Sequence, residues 1–181
     1  AQTGLGRVGK NFAFEGMGIK PDILTLSKTL GAGVPLSATV TSSEIEESCY
    51  EKGFSYYTSH LSDPMPIEVG VSVLDVVVNE KLANRAAEMG PYVMRGLKEL
   101  QSRHEVIGDV RGVGLFIGVE FVKDRETKEA APVFLKRLLA RSLELGLNLI
   151  PASAEGISAV RLAPPLFVTR DQVDSALGIL D

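Results

Sequence analysis

From Pro21 to Gly33 the chain reads PDILTLSKTLGAG, an apolar run that opens on a proline, closes on a lysine and passes at once into a glycine-rich turn. A run of this length with turn residues on both sides predicts a buried strand over 21–27. A buried strand must be covered by other layers, so the pattern of the remaining elements decides the fold class.

Those elements alternate. SATVT (37–41) is small and β-branched and predicts a second strand. Ser43 and Glu46 have capping-box spacing, which predicts a helix over 44–52 stopped by Gly53. Residues 55–66 carry two prolines and no apolar period and are expected to form an ordered loop. From Ile67 to Val78 the chain is apolar nearly all round, as in a buried helix. Leu82, Ala86, Met89, Val93, Leu97 and Leu100 then recur at steps of three and four, predicting a long amphipathic helix over 81–104. Residues 109–122 (DVRGVGLFIGVEFV) have glycine-punctuated β character, and 123–132 form a polar connector. A helix over 133–146, short strands at 147–150 and 160–166, and a last helix complete the order. Thr169 and Gln172 have capping-box spacing there, with Val168 and Val173 placed as a hydrophobic staple. The order is α/β, with a change of domain expected near residues 80–85.

At 181 residues the chain suits one large domain or parts of two. A formal charge of -4 leaves no basic footprint for nucleic acid. No apolar run approaches the ~18 residues a membrane helix needs. The single cysteine, Cys49, rules out an internal disulfide and a cysteine-based metal site, and points to a reducing, cytoplasmic compartment. The chain opens at Ala1 inside a glycine-rich loop with no strand before it. We therefore expect a C-terminal fragment of a longer protein, with part of its site upstream.

Two motifs compete for the chemistry. GLGRVGK (4–10) satisfies G-x-G-x-x-G through Gly4, Gly6 and Gly9, and nearly satisfies a phosphate loop, except that Asn11 stands where a magnesium-binding hydroxyl is needed. A nucleotide-binding domain is thus one reading. Either motif, however, needs a strand before it and a helix after it, and NFAFEGMGIKPD is a poor helix. The other reading of these glycines is a mobile loop beside a site. Lys28 is the second motif. Most lysines are surface charges, but this one closes a strand of an α/β sheet, where such folds bind ligands. The glycines after it permit close approach of a ligand to the backbone. A lysine held there can form a Schiff base with a carbonyl.

AQTGLGRVGK, PDILTLSKTLGAGVPL, RGVGLFIGVEFVKD and RLAPPL together resemble, in order and over essentially the whole chain, the patterns of class III pyridoxal-phosphate aminotransferases (DEAQTG-x-GRTG, PDILTLSKTLGAGxPL, RGxGLxxGVE and RxAPPL). The loop YYTSHLSDP is similar to the YTTHVSDP of the 2,2-dialkylglycine decarboxylases within that family, rather than to the TFxGNP of its ordinary aminotransferases. The resemblance implies fold type I, with residues 1–82 the end of the large cofactor-binding domain and 83–181 a small α+β C-terminal domain. It implies that Lys28 carries pyridoxal 5'-phosphate as a Schiff base and moves the catalytic proton. Gln2 would hydrogen-bond the cofactor's phenolic oxygen. Ser59 stands where the family has a threonine that reaches the phosphate bound in the neighbouring subunit. Ser59, the Leu61 carbonyl and Asp63 match the positions that bind an alkali-metal ion (K+ or Na+) in the decarboxylase. Arg161 matches the arginine that receives the substrate carboxylate.

By the same resemblance the reaction is decarboxylation-dependent transamination: a dialkylglycine and pyruvate give a ketone, carbon dioxide and alanine. The alternative is an ω-amino-acid:oxo-acid aminotransferase without decarboxylation. Either implies small amino-acid and oxo-acid substrates and a homodimer or homotetramer with shared active sites. Arg111 reads as structural, His60 and His104 as outside the chemistry, and Cys49 as a small helix residue.

Overall fold

The computed structural model describes residues 1–152 and 156–181. Its elements are strands β1 (Ile23–Leu26) and β2 (Ala38–Thr41), and helices α1 (Ser43–Glu51), α2 (Pro64–Asn79) and α3 (Leu82–Arg103). There follow strands β3 (Ile107–Val113) and β4 (Phe116–Phe121), helix α4 (Pro132–Glu144), strands β5 (Ile150–Pro151) and β6 (Ala159–Leu162), and helix α5 (Arg170–Leu180). Short 3-10 turns cover Ala13–Met17 and Lys28–Gly31. β1 and β2 form an antiparallel ribbon. The other four strands form one antiparallel sheet in the order β3-β4-β6-β5. No helix among the described residues is long and apolar enough to cross a membrane.

The main core lies between α3, α5 and this sheet. Leu97, Leu100, Val110, Leu115, Ile117, Val119 and Val160 are all buried, and Val77 and Leu82 join them from the α2–α3 junction. The strict three-four period of α3 faces this core, as its sequence predicts, with Met89 half-buried at its edge. The capping box at α5 is formed as expected. Thr169 Oγ1 accepts from the Gln172 N–H at 3.3 Å, and Gln172 Oε1 accepts from the Thr169 N–H at 3.0 Å. Val168 and Val173 are both buried beside it, completing the staple.

Several expectations need correction. The N-cap of α1 is Ser42 rather than Ser43, its hydroxyl accepting from the Ile45 N–H at 3.4 Å. Residues 64–66 belong to α2, because Pro64 and Pro66 fall in the first turn, where a missing N–H costs no helical bond. The strand expected at 147–150 is only Ile150–Pro151, because the Leu147 N–H turns back to the Ser142 carbonyl at 2.8 Å and extends the end of α4.

The larger corrections concern burial. β1 is half-exposed, with Ile23 56% exposed, because β2 is its one sheet neighbour here and a two-stranded ribbon leaves its other edge open. α2, apolar all round as read, buries only Gly70 and Val77. Its Val71 (46%), Leu74 (38%) and Val78 (63%) stand open to solvent. Its side chains have the composition of a fully enclosed helix, but the turn before β2 and α3 cover one face only.

Glycines set the closest approaches. A Cβ on Gly90 of α3 would lie 2.5 Å from the Gly114 carbonyl oxygen, and one on Gly9 would lie 2.9 Å from the Ala87 Cα. Two backbones therefore pass within reach of one another only where side chains are absent. Gly90→Ala should destabilise the fold by about 2 kcal/mol or more, since the clash is with backbone that cannot rotate away. A urea unfolding midpoint unchanged by this substitution would contradict the packing described.

Candidate active site

Lys28 sits directly after β1 and Ser27, in the left-handed region at φ +56°. A non-glycine residue there costs about 1–3 kcal/mol and persists only where its surroundings over-determine it. The surroundings here are specific. The turn closes through Leu30 N–H to Ser27 carbonyl (3.3 Å) and Ala32 N–H to Thr29 carbonyl (3.1 Å). Leu30 is buried, and a Cβ on Gly70 of α2 would meet Leu36 Cδ2 at 2.6 Å and the Leu30 carbonyl oxygen at 3.7 Å. Gly70 thus lets the lysine turn seat directly on α2, while the Lys28 side chain stays exposed. Strand end, imposed backbone and open amine are the features a reactive lysine needs.

The glycine loop at 4–9 is pinned rather than mobile. Its N–H groups point inward: Gly6 donates to the Asn11 carbonyl at 3.2 Å, Arg7 to Gly4 at 3.4 Å and Gly9 to Gly6 at 3.0 Å. The Leu115 N–H donates to the Arg7 carbonyl at 2.9 Å, tying the loop to the β3–β4 turn. A phosphate cradle needs those N–H groups free, and no helix of α type follows the loop. The glycines serve close packing against Ala83, Ala87 and the hairpin, and the nucleotide-binding reading is overturned.

Arg7 escaped the sequence reading. Its Nη1 donates to the Leu115 carbonyl at 3.3 Å and to the Pro164 carbonyl. A lone arginine inside a glycine-rich, otherwise apolar loop was the available signal. Burial, and then the nearby positive charge of Arg161, hold its pKa below the ordinary arginine value.

Arg161 lies on β6, paired across to Gly118 of β4 and Ile150 of β5. Its Nη1 donates to Gln2 Oε1 at 2.6 Å, joining residues 159 apart in the chain. Its Nε is buried and has no hydrogen-bond partner among the described residues. The structure thus unites two of the sequence candidates directly. The lysine turn shares a groove with the segment that follows Arg161: Thr29, Ala32, Arg7, Glu68, Pro165 and Phe167 line one hollow of about 1030 Å³. Arg161 lines an adjoining hollow of about 480 Å³, with Pro165 and Phe167 common to both.

Ser59, Leu61 and Asp63 lie together on the turn before α2, Ser59 and Leu61 exposed and Asp63 half-buried. Asp63 Oδ2 is bonded to His60 Nδ1 at 2.8 Å. Among the described residues, no three histidine, cysteine or acidic side chains gather as a metal site. Arg111 is structural, as read: its Nη1 bridges Asp109 Oδ2 (2.7 Å) and Glu120 Oε2 (2.8 Å) across the β3–β4 pair. His104 is held by Asp181 at 2.8 Å, and Cys49 sits half-buried on α1.

Comparison with known proteins shows the family and the fold. The family model Aminotransferase class-III matches residues 1–181. The chain is 44% identical to an uncharacterized aminotransferase of Schizosaccharomyces pombe, over 100% of this chain and 41% of that protein. It is 41% identical to a leucine/methionine racemase of Thermococcus litoralis, over 99% of this chain and 40% of that one. An amine transaminase from an uncultivated Pseudomonas species, solved in its PLP-bound form, superposes with a TM-score of 0.88 at 29% identity, covering 98% of this chain and 41% of that one. The mixed α/β architecture is that of the C-terminal part of a fold-type-I pyridoxal-phosphate transferase. The chain belongs to the class III aminotransferase family, and spans about two-fifths of the length of the relatives named here.

The Arg111 bridge has a pH signature. The Arg111 guanidinium holds the Asp109 carboxyl below its ordinary value of 3.8. A depressed carboxylate adds stability that is present above the unfolded value and is lost as pH falls through the lower folded one. Arg111→Met should therefore lower the urea midpoint at pH 7. The gap to the parent protein should close below about pH 3.8, where the unfolded-state carboxyl is already protonated.

Proposed function

We propose that the whole protein is a pyridoxal-phosphate-dependent enzyme that transfers the amino group of a small amino acid to an oxo acid, with Lys28 as its reactive amine. The observation that carries this reading is the Gln2–Arg161 hydrogen bond at 2.6 Å. It joins the residue read as facing the cofactor to the residue read as holding the substrate carboxylate. The residues present suit the cofactor in kind: an exposed amine on a conformationally imposed turn, an amide for the phenolic oxygen, and a buried arginine Nε lacking an acceptor. We assign Lys28, Gln2 and Ser59 to cofactor binding, Ser59 from the neighbouring subunit's side of a shared site.

When bound, the cofactor supplies an electron sink for the carbanion formed beside the substrate nitrogen. The chain's own residues do the rest. Lys28 Nζ takes up the proton and returns it on the other carbon. Arg161 would receive the carboxylate on its guanidinium, with the planar, charge-assisted geometry that suits a carboxylate. By fixing the carboxylate, Arg161 would decide which bond at the substrate's α-carbon is broken.

The finer proposal is decarboxylation-dependent transamination of a 2,2-dialkylglycine with pyruvate as acceptor. It rests on YYTSHLSDP, whose Ser59 hydroxyl, Leu61 carbonyl and Asp63 carboxylate are hard oxygens suited to K+ or Na+. The bond from His60 to Asp63 Oδ2 leaves the other carboxylate oxygen outside it. One observation favours the second reading, plain ω-amino-acid transamination: Asp63 already has a partner in His60, so a cation is not needed to hold it. The named relatives are likewise an aminotransferase and a racemase.

The open apolar face of α2 supports a homodimer or homotetramer. We assign 1–82 to the large domain and 83–181 to the small one, and place the enzyme in the cytoplasm on its single unpaired cysteine.

In the whole protein, Lys28→Ala should abolish the visible absorbance of bound cofactor and lower turnover by several orders of magnitude. Retention of that absorbance would overturn the assignment of Lys28. With 2-aminoisobutyrate and pyruvate, release of carbon dioxide that rises with added K+ is the result expected for the decarboxylase. Amino transfer from other donors with no carbon dioxide would leave the plain aminotransferase.

A further inference from the structure

We propose that Arg7 is a positioning residue for Arg161 and so governs how tightly the site holds a substrate carboxylate. The inference rests on the reading of Arg161 given above.

Arg161 is next to last on β6, and the chain leaves the sheet through Ala163, Pro164 and Pro165. Neither proline has an N–H, so this segment cannot be fastened by donating from those positions. It must be held through its carbonyls. The Pro165 carbonyl accepts from the Val168 N–H at 3.0 Å, a bond local to the same segment. The Pro164 carbonyl accepts from Arg7 Nη1, which also donates to the Leu115 carbonyl at 3.3 Å. Arg7 therefore adds a long-range tie between the Pro164 peptide and the β3–β4 turn, beyond the pairing of β6 with β4. Its own backbone is fixed in turn, because its carbonyl accepts from the Leu115 N–H at 2.9 Å. The arginine and the hairpin turn hold each other at two points, and the peptide three residues after Arg161 hangs from the same guanidinium.

Arg7 also contributes charge. It is half-buried, and among the described residues neither it nor Arg161 is paired with a carboxylate. Arg161 hydrogen-bonds the neutral Gln2 amide, and among the described residues its buried Nε has no partner. Burial first, and then the positive charge of Arg161, hold the Arg7 pKa below the ordinary arginine value. Two neighbouring cations, neither paired with a carboxylate among the described residues, raise the local potential for an anion.

The test uses the whole, cofactor-loaded enzyme. Calorimetry reads the affinity for isovalerate, a carboxylate without an amine, against isovaleramide, its uncharged counterpart. Arg7→Gln should weaken isovalerate binding by about 10- to 100-fold, the scale of a displaced binding group. The amide's binding and the cofactor's absorbance should stay as in the parent. Arg7→Lys, which keeps the charge but is shorter and lacks the planar guanidinium that reaches both carbonyls, should fall between the two, and carries the same comparison if Arg7→Gln fails to fold. Equal loss of carboxylate and amide affinity would mean that Arg7 only packs the loop, and would overturn the proposal. So would unchanged isovalerate affinity in Arg7→Gln while Arg161→Met has lost it. If Arg161→Met itself keeps the preference for isovalerate, the assignment of Arg161 fails, and the Arg7 proposal falls with it.

Discussion

The close approach of three backbones around Gly9, Gly90 and Gly114 is the constraint on which the rest depends. Gly90 and Gly114 let the β3–β4 turn touch α3, and Gly9 lets the N-terminal loop lie on Ala87 of the same helix. A Cβ on Gly114, itself at φ +57°, would stand 2.5 Å from the Val8 carbonyl carbon. All three segments are thereby brought to one point, from which Arg7 reaches Pro164 and Gln2 reaches Arg161. Side chains at these glycines would separate the layers by more than a hydrogen bond can span. The site is thus an outcome of packing as much as of polar chemistry.

The lysine turn obeys the same logic on the other side of the groove. Gly70 removes the side chain that would hold α2 away from Leu36 and Leu30, and the strained backbone of Lys28 is imposed by that contact. α2 is shared by two environments. One face anchors the lysine turn, while Val71, Leu74 and Val78 face outward from the chain. Together with Val76 they leave an apolar stripe on α2 open to solvent.

Much of this was legible from the residues. α3, α5 with its capping box, and the β3–β4 pair follow directly from apolar period and cap chemistry, which act over three or four residues. Lys28 and Arg161 were legible as motifs. What could not be read was burial, because β1 and α2 have the composition of enclosed elements while this chain encloses them only in part. The partners of Arg7 were also illegible, although the arginine itself stood out in its loop: they are carbonyls 108 and 157 residues away, and carbonyls have no sequence signature.

By itself the sequence determined the order and type of most helices and strands, and which residue types could carry lysine and arginine chemistry, because propensity, capping and periodicity are local. Only the tertiary structure decided what the glycine loop is for. Gly4, Gly6 and Gly9 match a nucleotide motif as letters, yet the Gly6 and Gly9 N–H groups are spent on carbonyls of the same segment, and the places of the missing side chains adjoin Phe12, Leu166 and α3. Whether a glycine cradles a ligand or admits a neighbouring backbone depends on what stands 3 Å from its Cα, and that distance is set by the fold of the whole chain.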